Sequence, residues 1–369
     1  MLPPASLPMR IALLTSANGW RGSGSSYAKI ARGLGERGHV AHLVTASPRL
    51  TPRLQRMGLS VTELPSRNTG PREVLALLRV LRAIRADAVV VDTPRDVRLA
   101  AWATLARQAS IIYRYNLNYR PPRNDLMDRA YLRRVSACVY QSRWIRDDAA
   151  RAPWLRRIPH FLIPNGYDLD RYSPRPVEGR AFRERYGIAS DARVVLTSAK
   201  LTRNKGHEIA IAALGRLHAG GVPLVYLICG DGGREAELHA LARSARLPAV
   251  FTGLLESDEL VAALAAADVV VHPSLNEIFP NAVGEAMACG RPVIAADAGG
   301  TAELVGSDGA AVLVPPGDAD TLAAAVRELL ENPERRRRLG EAARQRIESE
   351  FPLVRMIDRY EAALNAVIE

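Results

Sequence analysis

Short runs of continuous apolar residues recur along this chain, and a segment with helical periodicity follows nearly every one. Ala88–Val91 and Val269–Val271 are two such runs. A strand that is apolar at every position suits a sheet covered by helices on both faces, as in parallel βαβ units. The sequence therefore predicts an α/β protein, and its 369 residues are enough for two domains.

We predict six strands in each half of the chain, with a hinge between the halves in the stretch rich in proline and glycine from Pro164 to Pro176. The final helix follows a break at Phe351-Pro352 and carries apolar residues at helical spacing. The predicted strands lie near residues 10–15, 39–45, 60–63, 87–92, 110–113 and 135–139, and near 192–198, 223–229, 248–252, 267–271, 292–295 and 310–314.

Composition excludes several classes of protein. The chain is 48% hydrophobic and 24% charged, which is typical of globular proteins. No apolar run approaches the roughly 20 residues of a membrane-spanning helix, and residues 1–9 lack the positive charge of a signal peptide. The three cysteines, Cys138, Cys229 and Cys289, do not have the spacing of a metal site. We therefore expect a cytoplasmic protein with reduced thiols.

The segment from Pro273 to Gly290 carries two glutamates, Glu277 and Glu285, on either side of Pro280. Because proline is favoured at the first helical position, we predict a loop that carries Glu277 and a helix that carries Glu285. The first amides of such a helix attract a diphosphate, and carboxylates accept hydrogen bonds from sugar hydroxyls. On spacing alone, a solvated glutamate pair beside an ordinary amphipathic helix explains the segment equally well.

Lysine is rare in this chain, and its placement is uneven. Of the 50 Lys and Arg residues only three are lysines, and Lys200 and Lys205 are two of them. Keeping lysine here, in a chain that prefers arginine, indicates a need for a compact point charge. Because Lys205 precedes Gly206 at a predicted strand-to-helix turn, it can reach a phosphate that approaches the backbone closely. A solvated loop is the alternative explanation.

These segments belong to a series of seven motifs whose types and order resemble those of the retaining glycosyltransferases of family 4. The resemblance spans nearly the whole chain. It implies a GT-B fold, in which two Rossmann-like, doubly wound α/β domains face each other across a cleft. The motifs are Ile163–Asp168, the Lys200–Glu208 loop, Cys229–Gly233, Phe251–Gly253, Asp268–Ser274, the Glu277/Glu285 pair and Pro292–Glu303.

The resemblance also implies a domain organisation. An N-terminal, acceptor-side domain is expected over residues 1–170 and a C-terminal domain that binds the nucleotide sugar over residues 171–350. The last helix, over residues 351–369, is expected to pack back on the N-terminal domain.

The implied activity is the transfer of a sugar from a nucleoside diphosphate sugar to an acceptor hydroxyl, with retention and with no metal or other cofactor. Lys200 and Lys205 would hold the diphosphate, Glu277 the sugar and Glu285 the ribose, while UDP and GDP remain equally possible. Alternatives are an epimerase or phosphorylase of the same fold, and a non-catalytic subunit that binds nucleotide sugars. The implied donor-binding set is Lys200, Lys205, Gly230, Asp231, Gly232, Phe251, Gly253, Leu254, Glu277, Ile278, Phe279, Pro280, Asn281, Ala282 and Glu285.

Two positions in the second half depart from the family pattern. Lys200 stands where arginine is usual, and Ile278 stands where glycine is usual. Isoleucine still offers a backbone amide, but its branched side chain restricts how closely a sugar can approach. The identity of the sugar therefore stays open.

The first half lacks the histidine that the family often places near the transferred sugar. The corresponding strand ends carry Asp92 and Arg95, and Arg114 and Asn116. Ligands bind at the C-terminal strand ends of a doubly wound sheet, so these are our candidates for the acceptor side. We expect a catalytic role for Arg114, in contact with an anionic group of acceptor or donor, with an ion pair to Asp92 or Asp96 as the alternative.

A glycine-rich loop, with Gly22, Ser23 and Gly24, follows the first strand and opens a helix predicted over residues 25–36. It lacks the third glycine and the ribose-binding acid of a dinucleotide site. Binding of NAD(P) is therefore not expected. Placed across a cleft from Lys205, as the resemblance implies, the loop is a candidate contact for the donor phosphates or the acceptor.

Two Asp-x-Asp pairs, Asp168 to Asp170 and Asp318 to Asp320, resemble the metal ligands of some sugar transferases. The first suits a turn and the second a helix cap, so neither is expected to bind a metal.

The net charge of +11 is concentrated in residues 114–157, which carry eleven arginines and four acidic residues. Trp144, Trp154, Tyr119 and Tyr131 lie in the same region. A solvated face is one explanation, and contact with an anionic membrane or with a lipid-linked or anionic acceptor is the other. The second would place the protein at the inner face of a membrane. Binding of nucleic acid is not expected, because no module for it is present.

Overall fold

The computed structural model describes residues 7–16, 20–105, 109–116, 130–150 and 157–368. The chain divides into two compact units. The first consists of Met1–Gly166 with Leu353–Glu369, and the second of Tyr167–Pro352. These limits lie close to the predicted ones at residues 170 and 350.

The first unit is a parallel sheet of seven strands in the order β3-β2-β1-β4-β5-β6-β7. A π-helical turn, Trp20–Gly24, leads into its first helix. The strands are β1 (Arg10–Thr15), β2 (Val40–Thr45), β3 (Val61–Glu63), β4 (Ala88–Val91), β5 (Ser110–Arg114), β6 (Val135–Tyr140) and β7 (His160–Leu162). The helices in its described residues are α1 (Ser25–Glu36), α2 (Thr51–Arg56), α3 (Pro71–Ala83), α4 (Pro94–Ala103), α5 (Arg143–Ala149) and the C-terminal helix (Leu353–Ile368).

The C-terminal helix belongs to the core of this unit. Its buried residues Met356, Ile357 and Tyr360 join the apolar cluster that contains Tyr27 and Leu34 of α1. Burial of this apolar face is what docks the helix onto the first unit.

The second unit is a parallel sheet of six strands in the order β10-β9-β8-β11-β12-β13. The strands are β8 (Arg193–Ser198), β9 (Leu224–Cys229), β10 (Ala249–Gly253), β11 (Val269–His272), β12 (Val293–Ala296) and β13 (Val312–Val314). Its helices are α6 (Pro176–Arg185), α7 (His207–Ala219), α8 (Glu235–Ser244), α9 (Ser257–Ala266), α10 (Asn281–Ala288), α11 (Thr301–Val305), α12 (Ala319–Glu331) and α13 (Pro333–Glu350). The C-terminal helix of the first unit is α14.

Both faces of the second sheet are buried. Val194 and Leu196 of β8 face one apolar cluster, whereas Val195 faces the other. Continuous apolar strands therefore pack helices on either side, as their sequence predicts. The prediction of two doubly wound α/β domains is confirmed.

All twelve predicted strands are present, and the described residues contain one further strand, β7, that the sequence did not predict. It covers only His160–Leu162 at the edge of the first sheet. The residues lie beside prolines, Pro159 and Pro164, and so close to the hinge that their composition indicates loop.

Candidate functional site

The site of the second unit lies where the strand order reverses between β8 and β11, which is where ligands bind in a doubly wound sheet. The loops that follow these two strands are joined by hydrogen bonds. The Asn204 carbonyl accepts one from the Leu275 amide at 2.8 Å and another from the Ser274 hydroxyl at 2.9 Å. The loop that carries Lys205 is thus fixed against the loop that carries Glu277.

Gly206 makes this contact possible. Its φ is +66°, and a Cβ atom here would lie 2.0 Å from the carbonyl oxygen of Pro273. Only glycine fits both the left-handed backbone and the close approach. The predicted need for glycine beside Lys205 therefore has a specific cause, the packing of two loop backbones.

Glu277 is the centre of the charged cluster between these loops. Its Oε1 accepts hydrogen bonds from the ammonium of Lys205 at 2.5 Å and from Nε2 of His272 at 2.8 Å. The carboxylate side chain is 11% exposed. No described residue donates a hydrogen bond to its other oxygen, Oε2.

The two partners keep Glu277 ionised. Burial by itself raises the pKa of this carboxyl, but the hydrogen bond and charge of His272, followed by the charge and hydrogen bond of Lys205, outweigh it and lower the pKa to about 2. At neutral pH Glu277 is therefore an acceptor of hydrogen bonds and cannot donate one.

The backbone of Glu277 is held separately from its side chain. Its carbonyl accepts a hydrogen bond from the Gly300 amide at 3.0 Å. A Cβ atom on the preceding Gly299, whose φ is +60°, would lie 1.8 Å from the same carbonyl oxygen. The loop after β12 thus packs directly on the residue that carries the carboxylate.

Helix α10 begins one residue later than predicted. Pro280 is the N-cap residue, with φ −74° and ψ 104°, and Asn281 is the first helical residue. Proline has no side-chain acceptor, so it does not cap the amides of the first turn. Phe279, just before it, is buried against Phe351 with ring centroids 5.4 Å apart. Of the remaining predicted residues here, Ile278 and Ala282 are half-buried.

Glu285 lies on α10, as predicted, and has a tyrosine partner. The hydroxyl of Tyr172 donates to Glu285 Oε1 at 3.1 Å. A second tyrosine, Tyr167, packs on Gly284, where a Cβ atom would lie 2.0 Å from the tyrosine Cζ. The start of the second unit therefore orients the face of α10 that carries Glu285.

The predicted phosphate and nucleotide loops are also adjacent. The Leu201 amide donates to the Asp231 carbonyl at 2.8 Å, which brings the segment from Gly230 to Gly232 beside Lys200. Lys200 is exposed, and its backbone carbonyl contacts Nε2 of the buried His207 at 3.2 Å. The structure thus brings Lys200 and the glycine-rich segment together at the C-terminal ends of β8 and β9.

Three members of the implied donor-binding set, Phe251, Gly253 and Leu254, lie at or just beyond the end of β10. The ring of Phe251 stacks on His239 with centroids 3.7 Å apart. Gly253 ends the strand, and Leu254 is 41% exposed beyond it. An exposed apolar side chain next to a stacked ring pair offers a surface for a flat base.

In the first unit, Asp92 lies at the C-terminal end of β4 and is 1% exposed. Its Oδ2 accepts from the hydroxyl of Thr15 at 3.3 Å, and its carbonyl accepts from Nδ2 of Asn116 at 2.5 Å. Burial, followed by the charge of Asp96, raises the pKa of Asp92 to about 7, although Ser23 and Arg114 act in the opposite direction. Asp92 and Asn116 are thus brought together, as predicted for one strand edge.

Arg114 is buried rather than exposed at the strand end. It is 5% exposed and donates to Asn165 Oδ1 at 2.9 Å. Within the described part of the chain it forms no close ion pair with Asp92 or Asp96, although its charge lowers the pKa of Asp92.

Arg95 is engaged by its own unit. Its guanidinium donates to the carbonyls of Arg67 and Asn68 and to Asp96 Oδ1, each at 2.7 Å. These contacts tie the loop around residue 67 to the start of α4. Every nitrogen of this side chain therefore has a structural partner.

The Gly22–Gly24 loop is the last part of the π-helical turn before α1, and α1 covers the predicted residues. Ser23 from this turn acts on the carboxyl of Asp92 through a hydrogen bond. The loop is thus placed at the same strand edge as the predicted acceptor-side residues.

Much of the basic region lies outside the described residues, namely 117–129 and 151–156, which include Tyr119 and Trp154. In the described part, Tyr131 is buried and Trp144 is 37% exposed. No helix within the described residues is long and apolar enough to cross a bilayer.

The two Asp-x-Asp pairs have local structural roles. Asp318 caps α12 by accepting from the amides of Asp320 and Thr321 at 3.0 and 2.9 Å. Asp168 closes a turn by accepting from the Arg171 amide at 3.1 Å. In the parts of the chain described above, no three His, Cys, Asp or Glu side chains form a group that could hold a metal ion.

Two residues of the candidate site, His272 and Tyr172, were not predicted from the sequence. His272 is the last residue of an otherwise apolar strand, and this isolated polar residue was the available signal. Tyr172 lies far from Glu285 in sequence, and no pattern in the sequence connects the two.

Comparison with known proteins covers both units. Residues 20–171 match the family described as glycosyltransferase family 4, and residues 179–346 match the family described as glycosyl transferases group 1. Among curated proteins, the 2-deoxystreptamine glucosyltransferase of Streptomyces kanamyceticus is 32% identical over 47% of this chain and 45% of its own length. This chain thus spans about half the length of the first curated relatives it matches.

A longer match is to a mannosyltransferase of Mycobacterium tuberculosis. It is named a GDP-mannose-dependent alpha-(1-6)-phosphatidylinositol dimannoside mannosyltransferase and is 28% identical over 84% of each chain.

Solved structures share the fold. A glycosyltransferase from Rickettsia africae has a TM-score of 0.86 at 18% identity, covering 98% of this chain and 99% of its own. HepE from Anabaena, solved with UDP and glucose, has a TM-score of 0.85 at 22% identity, covering 97% of this chain and 100% of its own.

Proposed function

Because this chain belongs to glycosyltransferase family 4, we propose that it transfers a sugar from a nucleoside diphosphate sugar to an acceptor hydroxyl, with retention and without a metal. The observation that carries the proposal is the cluster of Lys205, Glu277 and His272 beside the start of α10, with Glu285 one turn further along that helix.

The donor diphosphate has its charge partner in this cluster. The Lys205 side chain is 22% exposed, so a ligand can reach it. The amides of the first turn of α10 and the positive end of its dipole attract the same anion. Lys200, which is exposed on the same loop, supplies a second cation. Fixed cations and helix amides can offset the charge of the leaving diphosphate, which supports transfer without a metal.

The sugar and the ribose have separate acceptors. Glu277 offers Oε2 to sugar hydroxyls, since Oε1 is occupied by Lys205 and His272. Glu285, oriented by Tyr172, offers its carboxylate to the ribose. Ionised carboxylates suit both tasks because they only accept hydrogen bonds.

Retention is supported by the state of Glu277. A carboxylate that two cationic or hydrogen-bonding partners stabilise, with its pKa lowered to about 2, is a weak nucleophile. We therefore propose attack on the face that the diphosphate leaves. The bond from the anomeric carbon to the phosphate oxygen breaks, the acceptor oxygen bonds to that carbon, and the leaving phosphate takes the hydroxyl proton.

On the acceptor side the proposal is limited to the strand edge of the first unit. Asn116 and the Ser23 turn lie beside Asp92 there, whereas Arg95 and Arg114 are engaged by their own unit. An anionic or lipid-linked acceptor, and membrane contact through residues 114–157, remain predictions.

The test is a transfer assay with the purified chain alone. UDP and GDP are first compared by calorimetry, and UDP-glucose and GDP-mannose are then supplied as donors with simple alcohols as acceptors, with and without EDTA. We expect binding of one nucleotide, a product whose anomeric proton has the donor configuration by NMR, and equal rates in EDTA. Binding without any transfer or donor hydrolysis would instead indicate a non-catalytic subunit.

A further inference from the structure

His272 is the histidine that contacts the sugar-binding carboxylate, and it comes from the same unit. It ends β11, is 4% exposed and lies with Nε2 2.8 Å from Glu277 Oε1. Since an ionised carboxylate accepts hydrogen bonds and donates none, Nε2 must carry the proton of this contact.

Lys205 and His272 share one oxygen of Glu277 but differ in freedom. The Lys205 side chain is 22% exposed, and its ammonium group lies at the end of a flexible alkyl chain. The His272 side chain is only 5% exposed and is attached to the end of a strand. A diphosphate beside Lys205 competes with Glu277 for the ammonium. When Lys205 turns to the diphosphate, His272 is the described partner that stays on Glu277.

We propose that His272 is a positioning residue for Glu277, which holds Oε1 in place while Lys205 binds the diphosphate, so that Oε2 stays directed at the transferred sugar. This inference rests on the proposed function and assigns a residue that acts through Glu277 and does not touch the donor.

Three charged or titratable groups in the described part of the chain bear on His272. Glu277 contacts it directly, Lys205 shares the same Glu277 oxygen, and His207 at the start of α7 interacts with it electrostatically. Burial lowers the pKa of His207 to about 4, so this ring is neutral at physiological pH. The protonation state of Glu277 therefore depends on His272 and Lys205. Removal of His272 leaves Lys205 alone to oppose the effect of burial, so the pKa of Glu277 should rise.

Two substitutions that introduce the same amide group at different side-chain lengths test whether contact with Glu277 is what matters. In His272→Gln the amide nitrogen extends about as far as Nε2, whereas in His272→Asn the same amide ends one methylene short of Glu277. A matched control lies in the other unit, where buried His39 contacts Glu361 with Nε2 and Oε1 3.2 Å apart. His39→Asn shortens the side chain in the same way and so breaks a histidine–glutamate contact that lies outside the donor site.

The experiment compares these three variants with the wild type, using UDP-glucose and GDP-mannose as donors across a pH range. We expect His272→Asn to lower kcat by roughly 10- to 100-fold, while the Kd of free UDP or GDP changes by less than about twofold. The acid limb of its kcat profile should move to higher pH. His272→Gln should keep most of the activity and move the acid limb less than His272→Asn does, because it retains the hydrogen bond but not the charge. His39→Asn should lower Tm with kcat and the acid limb unchanged.

The inference is overturned if folded His272→Asn keeps the wild-type kcat and acid limb. It is also overturned if nucleotide affinity falls by the same factor as kcat, or if His272→Gln is as impaired as His272→Asn. A wild-type chain that neither binds a nucleotide nor turns over a donor contradicts the proposed function itself. That outcome is distinct, because it is seen before any substitution is compared.

Discussion

Replacing Glu277 by glutamine should slow sugar transfer without weakening the binding of free UDP or GDP. Glutamine keeps the size of the side chain but removes the charge that accepts from the sugar, from Lys205 and from His272. A hydrogen bond to a charged group contributes roughly 1.5–3 kcal/mol, so kcat should fall by about 10- to 150-fold. Free UDP or GDP carries no sugar, so it loses no contact when Glu277 is replaced.

The sign of the effect on nucleotide affinity follows from the ion pair. Lys205 and Glu277 form an ion pair with Nζ and Oε1 2.5 Å apart, and the two side chains are 22% and 11% exposed. A partly exposed pair of this kind contributes on the order of 1 kcal/mol, which the diphosphate must offset to recruit the ammonium. Glu277→Gln removes this competition, so the Kd of UDP or GDP should stay equal or fall by up to about fivefold.

The same substitution should change stability in a direction set by the lowered pKa. A carboxyl whose pKa falls to about 2 on folding contributes stability above its unfolded pKa, and that stability is lost as the pH falls through the folded pKa. The contribution at neutral pH is on the order of 3 kcal/mol. Urea unfolding should therefore find Glu277→Gln less stable than wild type at pH 7, with the difference shrinking towards pH 2.

Calorimetry and steady-state kinetics on Glu277→Gln, Lys205→Met and the double variant check the reasoning. Lys205→Met should raise the Kd of the nucleotide by about 10-fold or more. If Glu277→Gln raises it by the same factor, Glu277 is a diphosphate or ribose contact and the division of roles between the residues is wrong.

Three further substitutions probe the rest of the site. Tyr172→Phe removes the hydroxyl that orients Glu285, so calorimetry should show a Kd for UDP or GDP raised roughly three- to tenfold. Asp92→Asn should stabilise the protein more at pH 8 than at pH 4 in thermal unfolding. The reason is that a carboxyl whose pKa is raised on folding from 3.8 to about 7 makes folding less favourable as the pH rises between these two values. Gly206→Ala should lower both stability, by at least about 1–3 kcal/mol in urea unfolding, and nucleotide affinity, because its Cβ would meet the Pro273 carbonyl.

The fold was predictable because its main signal is local. In β8 the residues Val194, Val195 and Leu196 are all buried, and alternate residues face different cores, so the strand reads as a continuous apolar run. β7 lacks this signal, since an edge strand of three residues buries little and borders on prolines. The start of α10 differed by one residue because the extended ψ of Pro280 makes it the cap.

The residues of the candidate donor site were partly predictable from the sequence, and those of the candidate acceptor side were less so. Lys205 and Glu277 were identified by their rarity and spacing. Whether an arginine faces a ligand or its own unit depends on distant partners, such as Asn165 for Arg114. In a chain whose basic residues are nearly all arginines, residue type carries little information about that choice.

The site owes its geometry as much to backbone contacts as to charged side chains. The loop after β8 is held by the Asn204 carbonyl and by the approach of Gly206 to Pro273, and the backbone of Glu277 is held by the loop after β12 through Gly299. These contacts need no charged side chain and are independent of a ligand. For the proposed diphosphate, this means that the Lys205 side chain can exchange Glu277 for the ligand while the loops stay in place, so the ion pair is the contact that the protein gives up on binding.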